Sequence, residues 1–133
     1  MKLYVFLFLL SLNLFFWSFA FAQGSFNVIA LKEEDSGREV LLKRGDILVV
    51  LLREVTTAGF VWKVTDFDKG RLLFLKSDNV KLSPLGVLGG TDLRIFVFRA
   101  IEIGKTPLKI VYSRPWEDFS VYGKLFYLEL FID

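Results

Sequence analysis

Phe126-Tyr127-Leu128-Glu129-Leu130-Phe131-Ile132 decides the fold class. Phe126, Leu128, Leu130 and Ile132 fall on one side of an extended chain, with Tyr127, Glu129 and Phe131 on the other, because successive side chains of a strand point to opposite faces. A helix would need its apolar residues three and four apart. The same period of two recurs upstream. Phe96, Phe98 and Ala100 face one way, with Arg94 and Arg99 marking mixed solvent contact. After a turn at Gly104, Leu108, Ile110 and Tyr112 alternate with Lys109 and Ser113.

Working towards the start of the chain, every segment after residue 23 reads as strand or turn. Ser25–Leu31 and Arg38–Lys43 are short β-rich runs separated by an acidic loop ending at Gly37. Arg44-Gly45-Asp46 is a turn, and Ile47–Leu52 is an apolar run suited to burial on both faces. Gly59–Thr65 follows, with Phe60 and Trp62 on one face, then Leu72–Lys76. Ser83–Gly90 is a loop holding Pro84, Gly86, Gly89 and Gly90. Turn signals recur roughly every 8–12 residues, the spacing of an antiparallel sandwich or barrel of about seven or eight strands.

Ahead of this lies MKLYVFLFLLSLNLFFWSFAFAQ. Lys2, an apolar run from Leu3 to Ala22 and Ala20-Phe21-Ala22 before polar Gln23 have the layout of a signal peptide over residues 1–22. Cleavage leaves residues 23–133 as one domain, secreted or periplasmic, and the exported chain then starts at Gln23, which intact mass reads directly. Retained, the same run would serve as a membrane anchor. Without Lys2, the 17 basic residues fall by one, to near balance with 15 acidic ones. A near-neutral domain lacks the basic stripe that nucleic acid needs.

The chain has no cysteine and no histidine. Disulfides, thiolate nucleophiles, Ser-His-Asp triads and the common nitrogen and sulfur metal sites are therefore excluded. Glu33-Glu34-Asp35 and Glu117-Asp118 read as solvated loops rather than a catalytic carboxylate pair. Asp66-Phe67-Asp68-Lys69-Gly70 opens like a calcium loop, but its glycine falls one position early and Ser77 stands where a bidentate glutamate is needed. It reads as a turn. No enzyme activity, metal or cofactor is expected.

Three connections carry more than turn chemistry. Glu54–Trp62 runs a small hydroxyl-rich loop (Thr56, Thr57, Ala58, Gly59) into an aromatic strand. Gly86-Val87-Leu88-Gly89-Gly90-Thr91 allows close approach of another backbone. Tyr112–Glu117 sets Arg114, rigid Pro115 and the large Trp116 just past a strand. Alternate connections of a sandwich emerge at one end, so the three are expected to be neighbours.

These residues resemble the chagasin family of cysteine protease inhibitors, whose members carry an Asn-Pro-Thr-Thr-Gly loop followed by an aromatic and Trp, then Gly-x-Gly-Gly, then Arg-Pro-Trp. Arg114-Pro115-Trp116, preceded by Tyr112, matches fully, and Gly59-Phe60-Val61-Trp62 matches the end of the first motif. The first loop departs from the pattern. Val55 and Thr56 replace the family's Asn and Pro, Thr57 keeps the central threonine, and Ala58 replaces the second. Val87 opens the glycine loop unless one residue is inserted, in which case Gly86 does. The resemblance implies an immunoglobulin-like antiparallel β-sandwich that plugs the cleft of a papain-like cysteine protease, acting as a monomer. Thr56, Thr57, Ala58, Gly59, Gly86, Val87, Leu88, Gly89, Gly90, Arg114, Pro115 and Trp116 would form the contact surface. A glycan-binding or adhesion module is the alternative, and a structural envelope domain a third reading.

Overall fold

The computed structural model describes residues 24–55, 59–82, 90–117 and 123–133. The expected leader, Thr56, Thr57 and Ala58, Gly86, Val87, Leu88 and Gly89, and Asp118 lie outside the described residues.

The described chain runs β1 (Val28–Lys32), β2 (Glu39–Leu42), β3 (Ile47–Val55), β4 (Val61–Phe67), β5 (Leu72–Lys81), β6 (Thr91–Ala100), β7 (Gly104–Ser113) and β8 (Lys124–Ile132), with one 3-10 turn at Glu33–Asp35. The strands form two four-stranded sheets, ordered β1-β3-β6-β5 and β2-β8-β7-β4. This is the all-β sandwich that the alternation calls for. Leu48, Val50, Leu52, Phe96, Phe98 and Ala100 of the first sheet meet Leu108, Ile110, Phe126, Leu128, Leu130 and Ile132 of the second, all buried.

Two edge pairings depart from a purely antiparallel arrangement. β1 runs parallel to β3, and β2 runs parallel to β8. The chain spends β2 in the second sheet between β1 and β3, so it returns to the first sheet in its original direction. Asp46 fixes this corner. Its buried carboxylate accepts the Lys43 N–H at 2.8 Å and the Asn27 N–H at 3.0 Å.

Two segments differ most from their sequence reading. Ile47–Leu52 buries one face only; Leu48, Val50 and Leu52 are in the core while Ile47, Val49 and Leu51 are half-buried outside. That strand also continues to Val55. β5 extends past Lys76 to Lys81 and is exposed beyond Leu72, because it is an edge strand with one neighbour.

Two of the acidic residues weighed for chemistry, Asp35 and Asp68, are structural. Asp35 accepts the Lys32 N–H at 2.8 Å and pairs with Arg38 at 2.7 Å. The Lys32 N–H first, and Arg38 next, hold its carboxyl below the usual range. Asp68 is held low by the Gly70 N–H and then by Arg71, to which it is paired. Carboxylates tied in this way stay ionised and make poor general acids. The turn between β4 and β5 is shorter than the sequence reading of Asp66–Gly70: it begins at Asp68, while Asp66 and Phe67 are the last residues of β4, paired with Lys109 and Leu108.

Candidate functional site

The register of the sheets sets where the three connections begin and end. Val55, the last residue of β3, pairs with Thr91, the first of β6. The first loop therefore leaves where the second loop returns. Val61, the first residue of β4, pairs with Ser113, the last of β7. The end of the first loop thus lies beside the start of the third. The Leu82 N–H donates to the Thr91 carbonyl at 3.3 Å and closes the base of the second loop. All three connections are rooted at one end of the sandwich.

Tyr112 joins the two sheets at that end. Its hydroxyl accepts from the Val55 N–H at 3.0 Å and donates to the Val55 carbonyl at 3.4 Å. Its ring packs 4.8 Å from Trp62 and 5.3 Å from Phe60, centroid to centroid. Phe60 and Trp62 share a face as their spacing predicts, and the Trp62 indole N–H donates to the Arg53 carbonyl at 2.7 Å.

Arg114-Pro115-Trp116-Glu117 is a tight turn. The Glu117 N–H donates to the Arg114 carbonyl at 3.1 Å, with proline at the second position, where its fixed φ suits such a turn. The Arg114 guanidinium pairs with Glu117 at 3.2 Å and lies 4.6 Å from the Phe60 ring centre. Glu117, which reads in the sequence as a solvated carboxylate, therefore closes the turn that presents Trp116. Trp116 itself is 72% exposed.

Gly59 is the hinge between the first and third connections. Its φ is +79°, and a Cβ there would lie 2.5 Å from the tip of the Trp116 indole. The positive φ favours glycine, and any Cβ would have to push the exposed Trp116 ring aside. Gly59→Ala should cost about 1–2 kcal/mol in urea unfolding, from the left-handed backbone alone. It should also displace Trp116, read as a change in indole fluorescence. An unaltered spectrum with wild-type stability would refute this account of Gly59.

Beneath the loops lies a charged cluster that the sequence reading missed. Glu54 is 1% exposed, and its two carboxylate oxygens accept from Arg94 Nε at 3.0 Å and Nη2 at 3.1 Å. The Trp62 N–H donates a long 3.5 Å bond to the same carboxylate. Asp92, opposite Glu54 in the register, is also buried. The Glu54 hydrogen bonds, with the charges of Glu54 and Asp92, hold the Arg94 guanidinium above its ordinary range despite partial desolvation. The signal was parity: Glu54 continues the inward series Leu48, Val50, Leu52, and Arg94 continues Phe96 and Phe98.

Of the residues expected to form the contact surface, Gly59, Gly90, Arg114, Pro115 and Trp116 are described. Gly59 touches Trp116, and Gly90 leads directly into Thr91 of β6. Thr56, Thr57, Ala58, Gly86, Val87, Leu88 and Gly89 lie outside the described residues, between the roots just located.

The chain is 27% identical over 92 residues to Amoebiasin-2 of Entamoeba histolytica, covering 65% of this chain and 71% of that one. Its fold is similar to the crystal structure of the cysteine protease inhibitor EhICP2 from Entamoeba histolytica, with a TM-score of 0.74 at 19% identity, covering 84% of this chain and all of the other. It is also similar to PbICP-C in complex with falcipain-2, with a TM-score of 0.59 at 17% identity over 84% of this chain and 92% of that one. Residues 41–130 match the profile of the chagasin family peptidase inhibitor I42. That match spans most of the chain and both sheets, and the chain belongs to the chagasin family of peptidase inhibitors.

Proposed function

We propose that this protein reversibly inhibits papain-like cysteine proteases by filling the active-site cleft with its three-loop end. The observation that carries the reading is Trp116, a large exposed aromatic held on a closed turn against Gly59 where the loops are rooted. Tryptophan and arginine are typical energetic anchors of interfaces. Inhibition needs no chemistry from the inhibitor. A stable complex buries about 800 Å² on each partner and denies substrate its route. Thr57, small and at the centre of the first motif, suits close approach to a catalytic centre. The proline absent at position 56 leaves that loop less preorganised, by about 0.4–1 kcal/mol. Gly89 and Gly90 would offer bare backbone to an extended cleft edge.

The glycan-binding alternative asks for bare aromatic rings along a sheet face. On the outer face of the second sheet, Lys105 lies 5.4 Å over Phe131 and Lys109 lies 5.8 Å over Tyr127. Those ring faces already have partners, which favours the loop-end reading.

The test is titration of papain activity with the protein. Reversible inhibition is expected, with the inhibitor recovered intact. Thr57→Arg should weaken it more than Thr57→Ala, since a bulky charge entering a packed cleft meets clash and desolvation. Full protease activity at micromolar inhibitor sinks the proposal and moves a sugar array to the next trial.

A further inference from the structure

The outer face of the β1-β3-β6-β5 sheet breaks the rule that a solvated face is polar. Ile47, Val49 and Leu51 on β3 stand beside Leu93, Ile95 and Val97 on β6, all half-buried and pointing away from the core. Exposed Val28 and Ala30 on β1, and Leu73 and Val80 on β5, widen the patch. The opposite sheet sets lysines over its outer rings, whereas these aliphatics form one uninterrupted block.

The polar residues on this face are placed in a way that says what would cover it. Across the sheet, the register aligns Val28, Ile47, Arg99 and Leu73 in one row, then Ala30, Val49, Val97 and Lys76. Lys32, Leu51, Ile95 and Asp78 make the third row, and Arg53, Leu93 and Val80 the fourth. A two-fold axis parallel to the strands and between β3 and β6 would lay β1 of one copy over β5 of the other. Lys32 then faces Asp78 at two symmetric places. Val49 meets Val97, Leu51 meets Ile95, and Val28 meets Leu73. Arg53 and Arg99 sit in the end rows, where their long side chains reach water. Asp78 is the one acid in these rows; it already pairs with Lys76 of its own strand at 3.1 Å and would share its carboxylate with Lys32 of the other copy.

We propose that this face docks a second copy of the chain, sheet on sheet, with Lys32 of each copy paired to Asp78 of the other. Four strands by four rows project to about 20 by 27 Å, or roughly 500 Å². That is a small interface, so dissociation in the micromolar range is expected. The same axis points both three-loop ends in one direction. Packed sheets lie about 10 Å apart, which sets the two sandwich midplanes about 20 Å from each other. A standard protein footprint is about 28 Å across, so two proteases cannot both be seated. This consequence rests on the inhibitory reading; the dimer itself does not. Protease and second copy would then oppose each other, and free protease would draw the inhibitor out of its paired form.

Sedimentation equilibrium of the protein at roughly 1–100 µM should follow a monomer–dimer equilibrium. Asp78→Lys, at an exposed position, sets like charges across both symmetric contacts and should weaken association about tenfold. Adding Lys32→Asp restores opposite charges and should recover it. Val97→Lys should leave a monomer with an unfolding midpoint close to wild type. Wild-type protein that stays monomeric throughout, or a charge swap that fails to recover association, overturns the proposal. Monomeric protein that floats with phosphatidylglycerol vesicles also overturns it and assigns the face to lipid. No arm of the experiment requires a protease, so its failure is separate from failure of the inhibitory reading.

Discussion

Arg94→Ala should unfold with about 3–5 kcal/mol less free energy than wild type, because it leaves the Glu54 carboxylate buried without its ionic partner. Glu54 is 1% exposed, and among the described residues only the long Trp62 backbone N–H bond remains to it. Asp92 faces it across the strand pair and adds a second negative charge that Arg94 had offset. A domain of this size commonly has about 5–15 kcal/mol in total, so the variant should be close to failure at physiological temperature. The double variant Glu54→Leu, Arg94→Leu removes the lone charge and should recover most of the loss, since a packed apolar pair can match a buried ionic one. Urea unfolding of both variants checks this. A single-variant loss below about 1 kcal/mol, the worth of an exposed pair, would mean that Glu54 finds water.

Trp116→Ala should weaken inhibition of a papain-like protease by about thirtyfold or more, corresponding to about 2 kcal/mol for an interface anchor. Its stability should match wild type, since the side chain is 72% exposed in the free protein. The loss should be mainly in the dissociation rate, where most interface changes appear. Trp116→Phe should fall between the two, keeping part of the apolar surface against Gly59. Inhibition constants beside urea midpoints separate contact from folding. A change under about threefold, less than 1 kcal/mol, would remove Trp116 from the interface.

What the sequence reveals of this fold follows from how each strand meets solvent. β6 and β8 each bury one face, and β7 does so up to Ile110, so their apolar residues alternate and can be read directly. β5 is an edge strand whose residues after Leu72 are exposed, so Ser77-Asp78-Asn79 carries no period that would mark it as strand. The run Ile47–Leu52 looks like a strand buried on both faces, because its outer residues are aliphatic without being covered. Parallel pairing of β1 with β3 and β2 with β8 is a matter of which sheet a strand joins, and periodicity is silent on that. At the site, Arg114-Pro115-Trp116 was legible as a motif, and Gly59 as a glycine. Their contact was not, because it depends on the Val61–Ser113 register. Glu54 was hidden by its neighbours: a carboxylate beside a hydroxyl-rich loop reads as part of the loop.

The pairing of β2 with β8 orders events in time as well as space. Leu42 is matched to Ile132, and Val40 to Leu130, so a strand near the start of the domain has its only sheet neighbour near the far end of the described chain. A growing polypeptide completes β1, β3, β5 and β6 first and can assemble the whole β1-β3-β6-β5 layer. In the other layer only β4 and β7 can pair, and β2 waits without its neighbour, until residues 124–132 arrive. Its apolar inner surface cannot close over the core before then. Contacts so distant along the chain make assembly slow relative to a local fold. The chain therefore becomes a sandwich only when its eighth strand is available, however early the rest has formed.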